Sequence, residues 1–150
     1  MKGPHVMSDL ERTVLFLCVA NSARSQLAES IGRYFAPPGT QVLSAGSEPS
    51  RVHPLAHQAL DEINLSHEHQ HSKPFDDIDF SHVTDVITLC AEENCPYIPS
   101  TARRYHWPLP DPAAIAQPEQ AIDGFRQVRE MLIPKIRDFL ASNLDLPKAN

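Results

Sequence analysis

A cysteine and an arginine stand six residues apart in 14-VLFLCVANSARSQLAES-30, where an apolar run gives way to a helical pattern. The ionised thiol of a cysteine such as Cys18 is a nucleophile, and the planar guanidinium of an arginine such as Arg24 holds two oxygens of an anion. A turn that feeds a helix aims backbone N–H groups and the positive end of the helix dipole at one point. The stretch therefore favours attack by a thiolate on a bound oxyanion.

The loop between these two residues has the composition of an oxyanion cradle. Asn21 tolerates the left-handed backbone that such a turn can require, and the hydroxyls of Ser22 and Ser25 can donate to an oxyanion or to a thiolate. The same residues also fit a packed strand cysteine followed by a surface arginine, but the change from strand to helix favours the reactive site. We predict catalytic roles for Cys18, Arg24 and Ser25, and substrate binding by Val19, Ala20, Asn21, Ser22, Ala23 and Arg24.

The departing oxygen of an oxyanion needs a proton, and 107-WPLPDPA contains a candidate donor in Asp111. The prolines on both sides restrict the backbone and so can hold the carboxyl in one direction. An aspartate in a proline-rich loop is ordinary by itself. Its place after the fourth predicted strand makes Asp111 the best candidate for the general acid.

The elements that must position these residues alternate between strand and helix patterns. Apolar runs predict buried strands at 13-TVLFLCV and 85-DVITLC, and we also predict a short strand at 41-QVLSAG and a fourth strand at 103-RRYHWPL. Apolar residues at helical spacing predict helices from about residue 27 to residue 35, over 54-PLAHQALDEINL, and over 118-PEQAIDGFRQVREMLIPKIRDFLA. We expect Pro134 to kink or interrupt the last helix.

Alternating strands and helices predict an α/β fold with a parallel sheet and right-handed crossovers. Ligands of such sheets bind beyond the carboxyl ends of the strands. Cys18 ends the first predicted strand, Cys90 ends the third, and 108-PLPDP follows the fourth, so all three segments should meet at one edge. No GxGxxG or GxxxxGK[ST] motif occurs, which disfavours a nucleotide-binding loop.

Length, composition and charge restrict the class of protein. The 150 residues predict one domain at 13–142, with a flexible extension at 1–12, a tail at 143–150 and Met7 as an alternative start. No apolar run approaches the roughly 20 residues that span a bilayer, and a net charge of −6 argues against nucleic acid or an anionic membrane as partner. The start lacks the apolar stretch of a secretory signal. We therefore expect a cytoplasmic protein whose three cysteines are thiols rather than a disulfide framework.

These motifs, in this order, resemble the low-molecular-weight protein tyrosine phosphatase family. The resemblance rests on 14-VLFLCVANSARS, on 43-LSAGSEPS and on Asp111 followed by Pro112. Within the family, 88-TLCAEENCP and 106-HWPLPDPA resemble the arsenate reductase branch, including its thioredoxin-coupled enzymes. The resemblance implies a three-layer sandwich in which helices flank a four-stranded parallel sheet. It also implies Cys18 as nucleophile, the 18–25 loop as oxyanion cradle and Asp111 as proton donor.

The two further cysteines distinguish the branches of the family. A phosphatase hydrolyses its intermediate with water, whereas an arsenate reductase must supply two electrons, and two thiols that form a disulfide supply two. The resemblance implies that Cys18 attacks arsenate, that Cys90 then attacks Cys18 to release arsenite, and that Cys95 moves the disulfide to Cys90–Cys95. No bound cofactor is expected. An external reductant would reset the pair, thioredoxin in first place and a glutaredoxin or a low-molecular-weight thiol otherwise, and phosphate or sulfate would compete with arsenate.

Two departures from the family pattern matter for the loop. Ala20 stands where these loops usually carry glycine, so a positive φ at that residue would cost strain. Some reductases also bind a potassium ion beneath the loop through an asparagine, a glutamate, a serine and an aspartate. Asn21, Glu29 and Ser44 match the first three, but Lys73 replaces the aspartate. We expect the lysine ammonium to stand in for the cation, so that no metal is required.

Two other functions stay open at the level of sequence. A tyrosine phosphatase would use Cys18, Arg24 and Asp111 alone, although 112-PAAIAQP lacks the tyrosines that phosphatases carry at this point. A binding module would instead hold arsenite or zinc with the thiolates of all three cysteines. The alternating histidines of 67-HEHQHSK also suggest a metal site on a strand, but their polar surroundings favour a solvated loop.

Overall fold

Four parallel strands form the sheet of the computed structural model, in the order β2-β1-β3-β4. The structure describes residues 11–91, 100–112 and 117–141. The strands are β1 (Arg12–Cys18), β2 (Thr40–Gly46), β3 (Asp85–Cys90) and β4 (Arg103–Leu109). Each begins and ends within one residue of the prediction, because an apolar run of this length between turn residues fits a covered parallel strand.

Three α-helices accompany the strands: α1 (Arg24–Phe35), α2 (Pro54–Asp61) and α3 (Ala121–Ala141). α2 begins with Pro54, and its first turn is capped because the N–H of Leu55 donates to Nδ1 of His53 at 3.1 Å. The prediction carried this helix four residues too far. Asn64 has a φ of 60°, in the left-handed region, and a helix cannot continue through that conformation.

α3 runs through Pro134 without a break, so the predicted interruption of the last helix is wrong, whereas the predicted kink stays a prediction. A proline inside a helix costs about 3 kcal/mol through its missing N–H and its steric clash. Pro134 lies on the exposed side, whereas the opposite side buries Phe125, Val128, Leu132, Ile136 and Leu140. Full burial of each such side chain contributes about 1.5–3 kcal/mol, so packing of the two turns after Pro134 offsets its cost.

The sheet is covered on both faces, which explains why β1 reads as an unbroken apolar run. Val14 and Phe16 lie in a core cluster with residues of all three helices. Leu15 and Leu17 lie in a second cluster with Ile78 and Val83. Ile78 and Val83 belong to a segment that contains the 3-10 turns Phe75–Asp77 and Phe80–His82. The predicted α/β fold with a four-stranded, all-parallel sheet is therefore confirmed.

The limits predicted for the domain stay predictions, because residues 1–10 and 142–150 lie outside the described residues. Arg12, assigned to the flexible extension, already belongs to β1. Within the described part of the chain, no helix is both long and apolar enough to cross a bilayer. Parallel pairing brings the carboxyl ends of all four strands to one edge of the sheet, and the candidate site lies at that edge.

Candidate active site

Cys18 is the last residue of β1 and its free thiol is 2% exposed. Its Sγ lies 2.9 Å from Oγ of Ser25, in the first turn of α1. Nδ2 of Asn21 donates to the same Ser25 oxygen at 2.8 Å. A thiolate can only accept, and Ser25 keeps its own hydrogen to donate while it accepts from Asn21. Ser25 can therefore donate a hydrogen bond to the sulfur of Cys18 while it accepts one from Asn21.

Every backbone carbonyl from residue 19 to residue 23 points away from the loop interior and accepts a hydrogen bond on that outer side. The pairs are Val19 O with Glu48 N at 2.8 Å, Ala20 O with Ser72 Oγ at 2.8 Å, Asn21 O with Gln26 Nε2 at 3.0 Å, Ser22 O with His53 N at 3.0 Å, and Ala23 O with Leu27 N at 2.9 Å. The described residues contain no cis peptide, and C=O and N–H of a trans peptide point in opposite directions. The N–H groups of residues 20–24 are thereby aimed at the loop interior, where an oxyanion can accept from them.

The backbone conformation of the loop agrees with its sequence. Asn21 has a φ of 50°, as its tolerance of the left-handed region predicted, whereas Ala20 does not have a positive φ, so the strain considered there does not arise. Gly46 at the end of β2 lets the loop pack closely, since a Cβ at that position would lie 2.5 Å from the carbonyl oxygen of Val19. Ala23, the N-cap residue of α1, provides no side-chain cap. The helix N-terminus thus keeps N–H groups for an anion.

Arg24 opens α1 and is 6% exposed. Its Nη1 donates to the carbonyl of Leu109 at 3.0 Å, and Leu109 is the last residue of β4. One N–H of the guanidinium thus ties the oxyanion loop to the chain that leads to Asp111, two residues further on. Asp111 itself is exposed at the same edge of the sheet. The structure therefore places the predicted anion-binding arginine beside the segment that carries the predicted acid.

Cys90 ends β3, the strand paired with β1, so the two cysteines leave neighbouring strands at the same edge. The register places Leu17 opposite Thr88, and neighbouring strands lie about 4.8 Å apart. Cys90 is fully buried and disulfide-bonded, whereas Cys18 is a free thiol. Cys95 lies outside the described residues. The two cysteines on paired strands thus lie at the same edge of the sheet.

A ring of polar contacts lies beneath the loop. Nδ2 of Asn21 donates to Ser44 Oγ at 3.0 Å, and Ser44 in turn donates to Oε1 of Glu29. Nζ of Lys73 lies 3.7 Å from the same Oε1, and the backbone N–H of Lys73 returns to Oδ1 of Asn21 at 2.9 Å. Arg33 holds the other carboxylate oxygen of Glu29 at 3.1 and 2.9 Å. Burial lowers the pKa of Lys73, and Glu29 opposes that shift.

The residues of this ring do not fit a potassium ion. A cation site needs several oxygens turned towards one open position. Here Oδ1 of Asn21 already accepts from Lys73, the hydroxyl of Ser44 donates to Glu29, and the lysine ammonium lies beside the carboxylate. The positive charge in the cluster is supplied by the protein chain.

Sequence reasoning missed the groups that hold the loop from outside. Ser72 donates to Ala20, although it lies 52 residues along the chain from its acceptor. Lys73, placed beneath the loop by the sequence analysis, contacts Asn21. Gln26 is fully buried and its Nε2 donates both to Asn21 O and to His71 O, each at 3.0 Å. The only signal was a glutamine one turn into α1, directly after the loop.

The histidines of the 67–71 segment do not form a metal site. The ring of His67 stacks on His57 with centroids 4.0 Å apart, and its Nε2 lies 2.9 Å from Oδ1 of Asp61. Nε2 of His69 lies 3.5 Å from Oε2 of Glu29. Burial lowers the pKa of His57 and of His69, with a smaller contribution from neighbouring positive groups. In the described parts of the chain, no three potential ligands are grouped so as to hold a metal ion.

Comparison with known proteins agrees with this geometry. An arsenate reductase of Staphylococcus saprophyticus is 36% identical over 131 residues, which are 86% of this chain and 96% of that protein. A solved arsenate reductase in its phosphate-binding state is 28% identical, with a TM-score of 0.72 over 87% of this chain and 97% of the other. A thioredoxin-dependent arsenate reductase of Corynebacterium glutamicum is 26% identical, with a TM-score of 0.59 over 89% of this chain and 69% of the other.

The family model for low molecular weight phosphotyrosine protein phosphatase matches residues 13–148. The match contains the loop after β1, the buried arginine of α1 and the carboxyl edge of the sheet. The Staphylococcus saprophyticus protein and the solved phosphate-binding structure are arsenate reductases, and the matched regions cover 96% and 97% of those two proteins. By its sequence and by its fold, the chain belongs to the low molecular weight phosphotyrosine protein phosphatase family.

Proposed function

We propose that this protein is a cytoplasmic arsenate reductase that converts arsenate to arsenite through a relay of Cys18, Cys90 and Cys95. The observation that carries the proposal is the position of two cysteines at the carboxyl ends of paired strands, one of them beneath an oxyanion loop. The names of the relatives support the activity. The residue roles follow from the contacts of the site.

The first step is attack by the Cys18 thiolate on arsenic. Arsenate is held by the inward N–H groups of the loop and by the guanidinium of Arg24, which together offset the repulsion between two anions. Asp111 donates a proton to the departing oxygen, which leaves as water. Ser25 donates to the sulfur before the attack and so favours its ionised form.

The second step supplies the electrons. The thiolate of Cys90 attacks the sulfur of Cys18, the sulfur–arsenic bond breaks, and its electron pair stays on arsenic, which leaves as arsenite. Cys95 then attacks Cys90, so that the disulfide becomes Cys90–Cys95 and Cys18 is released as a thiolate. The proposed order of the relay rests on the positions of Cys18 and Cys90 at the ends of paired strands.

An external dithiol must reduce the final disulfide. A thioredoxin is our first choice because a structural neighbour is a thioredoxin-dependent enzyme, with a glutaredoxin or a low-molecular-weight thiol as the other candidates. We expect phosphate and sulfate to compete for the loop, since it recognises a tetrahedral oxyanion through N–H groups. The relay needs no bound cofactor, and we expect no nucleic acid or membrane partner.

Lys73 takes the role of a cation beneath the loop. Its ammonium sits between Glu29 and the carbonyl of His71, 3.7 Å from the first and 3.0 Å from the second. We therefore expect equal activity in potassium and in sodium salts. A clear rise in activity on exchange of sodium for potassium would contradict this role.

The experiment that tests the function is a direct assay for arsenite. Reduced protein is mixed with arsenate, thioredoxin, thioredoxin reductase and NADPH, and the same preparation is given an aryl phosphate. We expect wild type to form arsenite and to support NADPH oxidation, and we expect Cys18→Ser to abolish both. Cys90→Ser should strongly reduce arsenite formation while its Cys18 can still be alkylated.

Two outcomes would favour the other functions. Hydrolysis of the aryl phosphate without arsenite formation would identify a phosphatase whose Cys90 has no catalytic part. Stoichiometric binding of arsenite or zinc, without turnover and unchanged in Asp111→Ala, would identify a thiolate binding module.

A further inference from the structure

The peptide between Asn21 and Ser22 is held by a side chain. Its carbonyl accepts from Nε2 of Gln26 at 3.0 Å, and the orientation of that carbonyl decides where the N–H of Ser22 points. We propose that Gln26 is a positioning residue that keeps the Ser22 N–H directed at the bound oxyanion. The inference rests on the proposed use of the loop as an oxyanion site.

This peptide needs such support more than its neighbours do. The carbonyls of Val19, Ser22 and Ala23 are held by backbone N–H groups at 2.8–3.0 Å, which belong to the framework of the fold. The carbonyl of Asn21, by contrast, accepts from a side chain, and Asn21 has a φ of 50°, in the left-handed region where the backbone departs from its commonest conformations. A rotation of this one peptide would withdraw an N–H from the cradle and replace it with a carbonyl.

Only a primary amide satisfies the position of Gln26. Its Nε2 carries two hydrogens and faces two carbonyls, those of Asn21 and His71, each at 3.0 Å. An exchange of oxygen and nitrogen would set an acceptor against two acceptors, so the contacts fix the amide orientation. The side chain is fully buried, and its Oε1 has no hydrogen-bond partner among the described residues. A buried carbonyl left unsatisfied is unfavourable, which indicates that the two donated bonds are what the position requires.

The test compares two glutamines that make the same number of bonds. Nε2 of Gln70 also donates twice, to the carbonyl of Gln26 at 2.7 Å and to Oγ of Ser30 at 2.9 Å. Neither acceptor belongs to the oxyanion loop. Gln26→Met and Gln70→Met therefore each remove two donated hydrogen bonds, and only Gln26→Met removes one that is made to a carbonyl of the loop.

Inorganic phosphate is the probe, because its binding requires the loop but not reduction. We expect Gln26→Met to weaken phosphate binding about tenfold, equivalent to about 1.4 kcal/mol. The amide resonance of Ser22 should shift on saturation of wild type with phosphate and lose most of that shift in Gln26→Met. Gln70→Met should lower the melting temperature by a similar amount but keep the phosphate affinity within about twofold of wild type.

Phosphate affinity of Gln26→Glu provides a second test if the methionine variant does not fold. A protonated carboxyl can still donate one hydrogen bond to a carbonyl, whereas an ionised carboxylate can donate none. The loss of phosphate affinity relative to wild type should therefore be smaller at pH 5 than at pH 8. Comparison with wild type at each pH cancels the effects of pH that the two proteins share, including the titration of phosphate.

Failure of the proposed Gln26 role and failure of the proposed function would give different results. Phosphate binding with a shifted Ser22 amide in wild type, but without arsenite formation, would leave the role of Gln26 intact and remove the reductase. Unchanged phosphate affinity and an unchanged Ser22 shift in Gln26→Met would overturn the role of Gln26. Equal loss of phosphate affinity in Gln70→Met would overturn it as well, since both residues would then act only through stability.

Discussion

Replacement of Lys73 by methionine tests the ring of contacts beneath the loop. The change removes the ammonium but keeps the length of the side chain and the backbone N–H that donates to Asn21. Two unit charges 3.7 Å apart attract by about 4 kcal/mol at an effective dielectric constant of about 20. Loss of one partner of a buried pair costs about 3–5 kcal/mol, because the other charge is left in a poorly solvated site.

The expected loss is smaller than that, because Glu29 keeps Arg33 on its other oxygen at 3.1 and 2.9 Å and because Lys73 no longer has to be desolvated. We expect Lys73→Met to lower the free energy of unfolding by about 2 kcal/mol, or the melting temperature by about 6 °C for a domain of this size. Cys18 alkylation should also slow, since Asn21 and Ser25 are held less firmly.

Urea unfolding of four proteins measures this prediction: wild type, Lys73→Met, Glu29→Gln and the double variant. Because the two charges stabilise each other, the double variant should be more stable than the sum of the single losses implies, by about 2 kcal/mol. Lys135→Met is the matched control. Lys135 is exposed and its Nζ lies 5.4 Å from the ring centre of Trp107, so its loss should cost less than about 1 kcal/mol. Equal effects at the two lysines, or additive losses at Lys73 and Glu29, would refute the reasoning.

Three further predictions concern the site and its surroundings. Ser25→Ala should slow alkylation of Cys18 at pH 7 roughly tenfold, because a hydrogen bond to a charged sulfur contributes about 1.5–3 kcal/mol; an unchanged rate would contradict the contact. Asp111→Ala should lower kcat for arsenate by about 10²–10⁴, as loss of a general acid does, with little change in phosphate affinity measured by calorimetry. His57 has a lowered pKa, chiefly through burial and then through His67, so the folded state resists its protonation. The contribution of neutral His57 to the free energy of unfolding should be fully present above about pH 6.5 and be lost as the pH drops further. His57→Gln should flatten this pH dependence in urea titrations. An equally steep fall in the variant would exclude His57 as its source.

The strands could be predicted closely from the sequence because their signal is local. β3 was predicted with the observed bounds, since a buried apolar run between polar turns leaves little choice, and the bounds of the more polar β4 were also predicted as observed. The last helix was harder. A proline is a local signal against a helix, whereas the burial of Ile136 and Leu140 that outweighs it depends on the folded core.

The residues of the candidate site also differ in whether a local sequence signal reveals their role. Cys18, Asn21 and Arg24 share one loop and helix start, so their roles could be argued from neighbours in sequence. Gln26 and Ser72 hold the same loop, but their importance depends on which carbonyls they reach. Ser72 is 52 residues from its acceptor, and a contact of that kind leaves no periodic pattern along the chain.

A single-turnover count of thiols tests the central claim most directly. Fully reduced protein is mixed with one equivalent of arsenate without an external reductant, the thiols are counted, and disulfides are mapped by mass spectrometry after rapid alkylation. The account predicts loss of two thiols, release of one arsenite per chain, a Cys90–Cys95 bridge in wild type and a Cys18–Cys90 bridge in Cys95→Ser. Arsenite released with Cys90 still alkylated, or no thiol lost while an aryl phosphate is hydrolysed, would contradict it.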